Sequence, residues 1–536
     1  MENKSALENA RERLLAGLMP EGRWEGELSS SALATAVAAF ALKLAGKTEL
    51  AARGFQWLED HRNADGGWGD SPESPSNFTT TLLCRCALGE EVGSPQEVSR
   101  SILELYGEDR TFSVPILAMC MLSGKLGDDW SLLPQLPFEL AIFPHRFYRF
   151  LRLPVVSYAL PALIAIGLVR HKNKPGRWAF YRNGLVNRVL DILRGIQPES
   201  GGFLEAAPLN GFVAMSLVGA GQGGHPVALS CLRFLEDTVR ADGSWPIDVN
   251  LSTWVTSLSV RALEGDLSEG QKTRIRAHLL KTQWTQEHPF THAEPGGWGW
   301  TDQQGGVPDA DDTSAALIAL RQLGCETKVA EDGIAWLMEL QNRDGGMPTF
   351  CKGWGKLPFD RSCPDLAAHA IRAFIAWRDK VDFNLWAAME DSIQRGLQYL
   401  EKEQQADGSW LPLWFGSQSN PGNENPVYGT VRVLEALREL DEAGFPRVGT
   451  MRARGFQWLE EASLQGRTIE ETALMVGLTG KGVDELLEMT NRGTEFPASP
   501  IGLYFASLWY SEKLYPLIFT VEALKRYPAH LEDGDE

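Results

Sequence analysis

The feature that most constrains this chain is a unit that recurs along its length. Each copy is an amphipathic helical segment that runs into Asp-Gly, or Ser-Gly in one looser copy, and then into a Trp, Phe or Met. The copies cover residues 54–68, 189–203, 231–245, 333–347 and 396–410. Repetition at this scale is typical of architectures built by stacking one supersecondary unit on the next.

A second type of segment, rich in Ala and Leu, follows the units. Examples run over 80–88, 313–324 and 429–440, where apolar residues recur at helical spacing. Helix pairs of this kind cannot bury their apolar faces alone and must stack. Closed into a ring, they form an α/α barrel with an inner and an outer helix layer. We therefore interpret the Gly-Trp end of each unit as a structural staple without chemistry of its own.

Two such barrels fit the 536 residues, because single domains of that length are uncommon. We predict an all-α fold of two α/α-barrel (toroid) domains. One barrel covers 15–247 and includes an apolar membrane or channel region at 138–169. The other covers 1–14 together with 248–536 and carries the acidic motif described below.

The charge and the cysteine content limit the classes of function that the chain can have. Lys and Arg total 51 against 70 Asp and Glu, so the net charge of −19 would repel nucleic acid. Seven scattered cysteines without a CxxC pair suit a reducing compartment and make zinc unexpected. The N-terminal residues lack the features of a signal peptide. The apolar stretch 153–169 is left open between a core helix, a leaflet-dipping segment and a membrane span.

Three carboxylates, Asp309, Asp311 and Asp312, lie at the start of the helical pattern that continues through 313–322. Capping and a favourable helix dipole account for one of them. Three crowded carboxylates repel one another, so one is expected to retain its proton with a raised pKa. Such a carboxyl group in an apolar pocket is a strong acid towards an alkene. Calcium binding is less favoured, since the spacing and glycine of an EF-hand loop are missing.

Aromatic residues are abundant around and after this motif. Their faces would stabilise a cationic intermediate, although each residue alone is equally explained by core packing. Beyond Trp298 and Trp300, the aromatic residues are Trp254, Phe350, Trp414, Phe415, Tyr428, Phe496, Tyr504, Phe505, Trp509 and Tyr510.

With these motifs the chain resembles the squalene-hopene cyclases over nearly its whole length. Residues 295–314 look like that family's PGGWxF…PDxDDT block at equal spacing, and Gln404, Gly408 and Trp410 like its Q-x-x-x-G-x-W repeat. The resemblance implies two α-barrel domains with the active cavity between them. It also implies that Asp311 is the proton donor and that Asp309 and Asp312 hold and polarise it.

The same resemblance assigns substrate-lining roles. Trp300 falls where the family has a cation-stabilising Phe, and Trp254 matches a substrate-lining Trp. Further matches are Phe350, Trp414, Tyr428, Phe496 and the aromatic block containing Tyr504, Phe505 and Trp509. One departure is Lys356, which stands where the family has a His that hydrogen-bonds the acid. Lys356 is therefore a candidate partner of the acid. The group that returns a proton to Asp311 after the reaction is left open.

The resemblance implies a class II terpene cyclase that protonates a linear isoprenoid alkene, with squalene or a similar C30 polyene as the substrate and a hopanoid-type triterpene as the product. A prenyl diphosphate (C15 or C20) or a meroterpenoid substrate stays open, because the chain is short for the family. A diphosphate would need a basic site, for which His145, Arg146, Arg149 and Arg152 are candidates. A non-catalytic α/α toroid is a remote alternative. So is a protein prenyltransferase subunit, because Cys363, Asp365 and His369 do not have its zinc-ligand spacing.

The expected cofactors and partners follow from the resemblance. No cofactor or resident metal is expected, and magnesium would be needed only for a diphosphate substrate. The partners are an isoprenoid molecule and a membrane leaflet, on which the enzyme would sit peripherally or monotopically at the inner face of the cell membrane. Nucleic acid is excluded by charge, and homodimerisation is left open.

Overall fold

The computed structural model describes residues 2–106, 110–144, 147, 160–289, 291–350, 352, 359–446, 448–503 and 508–532. Helices dominate this part of the chain. The predicted all-α class is therefore confirmed, and the helices close into two rings.

Five of the described helices form the inner layer of the first ring, each packed on the next, with the fifth returning to the first. Four described outer helices alternate with them along the sequence. The inner helices are Ala32–Leu44, Phe78–Leu88, Arg110–Leu122, Leu160–Asn173 and Ala207–Gly219, and the outer helices are Thr48–Asp60, Pro95–Tyr106, Ala179–Gly195 and Pro226–Asp237.

In the second ring, six of the described helices form an inner layer that closes in the same way. Its outer layer includes the first helix of the chain, which packs on the last. The inner helices are Ser252–Ala262, Ala310–Gln322, Pro364–Trp377, Pro426–Glu442, Ile469–Thr479 and Tyr515–Glu532, and the outer helices are Glu2–Ala16, Glu269–Thr282, Thr327–Leu340, Phe383–Glu403, Gly449–Glu461 and Val483–Met489.

The two layers differ in how much of each helix is apolar. The inner helix Ala32–Leu44 buries every residue from Ala32 to Leu42. The outer helix Thr48–Asp60 buries only Ala51, Gly54, Trp57 and Leu58. A helix that is apolar all round belongs in a core, whereas a helix with one apolar stripe faces solvent on its other side. The sequence pattern therefore sets the layer in which each helix lies.

The Gly-Trp staple has the same geometry in both rings. The indole N–H of Trp68 donates to the Leu58 carbonyl at 2.7 Å, and that of Trp410 donates to the Leu400 carbonyl at 2.8 Å. Both tryptophans are fully buried. The turn before Trp410 places Gly408 at φ 102°, a backbone conformation that favours glycine. The prediction that this motif is structural is confirmed.

A small antiparallel sheet lies where the rings meet. It consists of β1 (Gly416–Ser417), β2 (Ile501–Leu503) and β3 (Leu508–Tyr510), with Gly502 opposite Trp509. The Trp509 amide of β3 donates at 2.7 Å to the buried Asp70 carboxyl of the first ring. The sheet is thereby tied to both rings.

The apolar region 138–169, predicted from the sequence as a membrane or channel region, is described only in part. Helix Leu160–Asn173 is an inner helix of the first ring with a largely buried face, so the described part of the 153–169 stretch is a core helix. Residues 148–159 lie outside the described part. Among the described helices, none combines the length and the apolar character needed to cross a bilayer. Each ring has its own hydrophobic core. The predicted domain boundaries at 14/15 and 247/248 stay predictions.

Candidate active site

The acidic motif opens the inner helix Ala310–Gln322. Asp309 is its N-cap and has an extended backbone conformation, and its Oδ1 accepts from the amides of Asp311 at 2.9 Å and Asp312 at 2.8 Å. This is ordinary capping chemistry. It occupies one carboxyl group and leaves those of Asp311 and Asp312 for other contacts.

Burial shifts the protonation of this cluster. Asp309 and Asp312 are only 3% and 6% exposed. Burial raises the pKa of Asp309 to about 7. Burial, together with the charges of Asp309 and Asp311, raises the pKa of Asp312 well above its usual value. Because an ionised carboxyl is disfavoured in such surroundings, the cluster retains protons at neutral pH.

The imidazole of His369 contacts the central carboxyl group of the motif. His369 Nδ1 lies 2.5 Å from Asp311 Oδ1, reaching across from the inner helix Pro364–Trp377. Burial lowers the pKa of His369, and the Asp311 charge opposes that shift. His369 is therefore the side chain that contacts Asp311 in the described structure. Lys356, the partner expected from the sequence, lies outside the described residues.

Asp365 and Cys363 extend the cluster behind His369. The Cys363 thiol donates to Asp365 Oδ1 at 2.5 Å, and the amide of Leu413 donates to Cys363 Sγ at 3.0 Å. Burial, and secondarily the Asp311 charge, raises the pKa of Asp365 to about 7. Cys363 thus bonds to Asp365, and His369 bonds to Asp311. Within the described residues they do not form a metal-binding group.

The acid opens into a small pocket between inner helices of the second ring. Trp254 lies edge-on to the His369 ring, with 6.1 Å between the ring centroids. Tyr428 lies against Phe415, with 4.5 Å between the ring centroids. The predicted residues Trp254 and Tyr428 are therefore brought to Asp311. The pocket is lined by Trp254, Leu258, Arg261, Asp311, Asp365, His369, Arg372, Tyr428 and Arg432.

A buried ion network closes the far side of this pocket. Glu435 is 2% exposed and bonds to Arg372 at 2.8 Å, Arg432 at 3.1 Å and Arg526 at 2.5 Å. Burial alone would raise the pKa of Glu435, but these guanidinium groups outweigh it and hold the pKa well below its usual value. Positive charge therefore stands beside His369, which disfavours a second proton on the imidazole.

The remaining aromatic residues form a chain of ring contacts, here called the aromatic ladder. The ring centroids of Trp300 and Phe350 are 6.1 Å apart, and those of Phe350 and Trp414 are 5.9 Å apart. The ladder continues through Phe359 and Phe112 into the first ring. Phe112, Trp300, Phe350 and Trp414 are partly exposed although both rings pack around them.

Backbone hydrogen bonds join the ladder to Trp254 and to the helix of the acidic motif. The Trp300 carbonyl accepts from the Trp254 amide at 3.2 Å, and the Thr349 carbonyl, next to Phe350, accepts from the Ala310 amide at 2.9 Å. The structure therefore brings Trp254, Trp300, Phe350, Trp414 and Tyr428 together with the acidic motif.

The other predicted aromatic residues are placed differently. Phe496 lies under the guanidinium group of Arg13 at 5.4 Å, on the first helix of the chain. Trp509 is buried in the sheet between the rings. Tyr510 lies beside Tyr515, with 3.4 Å between their hydroxyl groups. Tyr504 and Phe505 lie outside the described residues.

His369, Phe112 and Phe359 are the site residues that sequence reasoning missed. Asp365 and His369 are four residues apart and so share one helix face, which is a signal that could have paired them with the acid. Phe112 carries no motif. Its place in the ladder depends on how the two rings meet.

This arrangement suits one kind of chemistry. A carboxyl group bonded to an imidazole, among buried carboxyls that retain protons, can pass a proton to an electron-rich double bond. The adjoining ring faces can stabilise the cation that results.

Two family models match the chain. The squalene-hopene cyclase N-terminal domain matches residues 7–177, and the squalene-hopene cyclase C-terminal domain matches residues 251–468. Relatives and solved structures with similarity to the chain include two fungal proteins and one plant enzyme.

A terpene cyclase-glycosyl transferase fusion protein from Humicola fuscoatra is 26% identical over 89% of this chain and 43% of its own length. A squalene hopane cyclase from Aspergillus fumigatus is 24% identical over 82% of this chain and 73% of its own length. The chain thus spans less than half of the first relative. The solved ent-copalyl diphosphate synthase from Arabidopsis thaliana covers 99% of this chain and 65% of its own, at 16% identity and a TM-score of 0.46.

Proposed function

The chain belongs to the squalene-hopene cyclase family as a divergent member, and on that premise we propose that it is a class II terpene cyclase. In this proposal it protonates a linear isoprenoid alkene and closes it into fused rings. The observation that carries the proposal is the contact between Asp311 and His369 beside the aromatic ladder.

The proposed first step moves one proton. The Asp311 carboxyl O–H bond breaks, the π electrons of the terminal alkene form a C–H bond, and a tertiary cation remains on the substrate. His369 holds the carboxyl oriented and shares the charge left on Asp311. Asp309 and Asp312, whose burial favours the protonated state, add no negative charge that would oppose the one forming on Asp311.

Later steps pass the cation along the folded chain. Each ring closure moves the positive charge to a new tertiary carbon, which the faces of Trp300, Phe350 and Trp414 can stabilise. Packing by both rings excludes water that would quench the cation early. Loss of a proton or capture of water ends the cascade. These steps use the chain's own groups.

Squalene or a similar C30 polyene is the substrate that the proposal favours. The family match and the hopane cyclase relative support it. A prenyl diphosphate would need a basic site, and the candidates His145, Arg146, Arg149 and Arg152 lie outside the described residues. It therefore remains the second choice.

The test is incubation of purified enzyme with squalene and, separately, with farnesyl and geranylgeranyl diphosphates. Products are read by gas chromatography–mass spectrometry, the diphosphate products after phosphatase treatment. We expect cyclic C30 product from wild type and its loss in Asp311→Asn, which keeps the side-chain shape. Cyclic product only from a diphosphate would overturn the C30 assignment, and product in Asp311→Asn would overturn the role of Asp311.

We also propose that the enzyme docks on one membrane leaflet through an exposed aromatic patch, defined by Phe143, Phe147, Trp178, Phe180 and Tyr181. Phe180 is 95% exposed and Trp178 57%, and Phe143 stacks on Phe147 at 5.2 Å. The two segments of the patch are joined because Arg182 bonds to Glu139 at 2.7 Å. Grouped exposed aromatic residues are typical of membrane interfaces.

Sedimentation with phosphatidylcholine vesicles tests the docking. We expect Phe180→Ser with Trp178→Ser to lower the bound fraction. Phe383→Ser is the matched control, because Phe383 is 82% exposed on an outer helix of the second ring. An equal loss in both variants, or no loss in either, would overturn the patch.

A further inference from the structure

Trp300 forms one end of the aromatic ladder, and a buried carboxyl group fixes its indole. The Trp300 Nε1–H donates to Asp248 Oδ2 at 2.9 Å. The other carboxyl oxygen of Asp248 accepts from the Val249 amide at 2.7 Å. The carboxyl is therefore held from both sides, and it presents one fixed acceptor to the indole.

The segment that carries Asp248 is itself held by the first ring. The Val249 amide donates to the Glu205 carbonyl at 3.2 Å. Glu205 Oε1 accepts from the Ser200 hydroxyl at 2.7 Å and from the Gly305 amide at 2.8 Å. Glu205 lies in the first ring and thus bonds both to a neighbour in that ring and to the loop that follows Trp300.

This junction has an unusual backbone. Leu204 and Glu205 have φ values of 56° and 51°, the left-handed region that non-glycine residues rarely adopt. A Cβ on Gly305 would lie 2.4 Å from the Gly202 carbonyl oxygen, so the two loops are in close contact. Leu204 packs against the aromatic ladder. The strained turn therefore lies against the end of the ladder that Trp300 forms.

We propose that Asp248 is a positioning residue that holds the Trp300 indole in a single orientation at the end of the aromatic ladder. This proposal rests on the proposed function, because the orientation matters only if a cation passes along the ladder. Without the bond, the indole can turn about its side-chain torsions, and its face no longer meets the same carbon of the folded substrate. The cascade then ends early in a larger fraction of turnovers.

The role requires an acceptor and no charge. Burial raises the pKa of Asp248 well above its usual value, so the neutral carboxyl is favoured. An asparagine amide oxygen reproduces the acceptor for the indole, while the Val249 amide keeps its bond to the Glu205 carbonyl. Asp248→Asn should therefore behave like wild type, whereas Asp248→Ala should not.

The first arm of the test reads the hydrogen bond without any substrate. The chain is labelled with ¹⁵N at the indole nitrogens, and Trp300→Phe identifies the Trp300 signal. We expect that signal to move upfield in Asp248→Ala and to stay in place in Asp248→Asn. An unmoved signal in Asp248→Ala would overturn the positioning bond.

The second arm measures products from squalene. We expect Asp248→Ala to raise the fraction of products with fewer rings several-fold, with Asp248→Asn close to wild type. In a Trp300→Phe background, Asp248→Ala should add nothing, because the residue acts through the indole. An additional effect in that background would overturn the proposal, as would an Asp248→Asn variant as impaired as Asp248→Ala.

A control separates this role from general damage at the junction. Asp302 accepts from the Ser252 hydroxyl at 3.0 Å in the same region, and Asp302→Asn should leave the product pattern unchanged. If wild type makes no cyclic product from squalene, the substrate assignment fails, while the indole signal still decides whether Asp248 holds Trp300.

Discussion

The two rings share one architecture and differ in what their inner helices bury. Among the described side chains, the inner helices of the first ring bury no Asp, Glu, Lys or Arg. Those of the second ring bury nine such residues, Arg261, Asp312, Asp365, Arg372, Arg432, Glu435, Glu470, Glu471 and Glu522. Buried charges are costly and are kept where they serve something besides stability. A closed ring of helices therefore needs no buried charge in its inner layer, and the acidic motif with its charged neighbours lies in one ring.

The largest expected effect comes from breaking the ion network of the second ring. Arg372 is 4% exposed and bonds to Glu435 and Glu439. Arg372→Met leaves these carboxylates with fewer partners inside the protein, so we expect a loss of about 3–5 kcal/mol of unfolding free energy. Chemical denaturation measures it.

The matched variant in the first ring is Arg182→Met. Arg182 and Glu139 form a pair at 2.7 Å, with 11% and 16% of their side chains exposed. Solvent screens this pair better, so we expect a smaller loss of stability. Equal losses would show that the rings do not differ in their dependence on buried charge.

The next effect separates capping from chemistry at equivalent helix starts. Asp309 caps helix Ala310–Gln322, and Asn77 caps helix Phe78–Leu88 by accepting from the Thr80 amide at 2.9 Å. Asp309→Asn keeps a capping oxygen but removes a carboxyl from the acid cluster. We expect cyclisation to fall about 100-fold, within the range of acid–base contributions, with little change in melting temperature.

Asn77→Ser is the comparable change in the first ring. Serine is also a capping residue, and the substitution removes the bond from the Asn77 amide to the Asp70 carboxyl without adding a charge, so we expect cyclisation to stay within about twofold. A loss of activity as large as that of Asp309→Asn would contradict the assignment of the chemistry to the second ring.

Sequence alone reached much of this site, and the limits have physical causes. Asp309, Asp311 and Asp312 are adjacent in the chain, so their crowding is visible without a structure. His369 is 58 residues from Asp311, and only the packing of one inner helix on another brings the two together. Helical periodicity shows which face of a helix is apolar, so it predicted the two layers. It does not show which side chain of another helix lies opposite that face, so it missed this contact.

The ends of the chain show the same limit. Phe496 was placed with the substrate-lining aromatics by resemblance, yet it packs against Arg13 of the first helix. That helix belongs to the second ring because it packs on Tyr515–Glu532, a contact between residues almost a chain length apart. No local pattern encodes such a pairing.

A smaller effect concerns the pH dependence of cyclisation. Burial raises the pKa values of Asp309 and Asp365 to about 7. These carboxyls are thus protonated below that pH and ionised above it, and the added negative charge opposes the charge that proton transfer to the alkene leaves on the acidic motif. We expect kcat/KM to fall as pH rises through about 7, and to fall less steeply in Asp365→Asn. A steeper fall in that variant would contradict the cause.

The smallest effect should be equal in both rings. Trp68→Phe and Trp410→Phe each remove one buried hydrogen bond to the carbonyl of an outer helix, which costs about 1–3 kcal/mol. Phe203 and Met347 occupy the corresponding position in other copies of the unit and are buried, so the ring tolerates an apolar side chain there. Melting temperatures that fall by the same amount in both variants would show that the staple is common to the rings. A much larger fall in Trp410→Phe would mean that the charged core of the second ring makes its staple more important, and that the two rings differ in architecture as well as in chemistry.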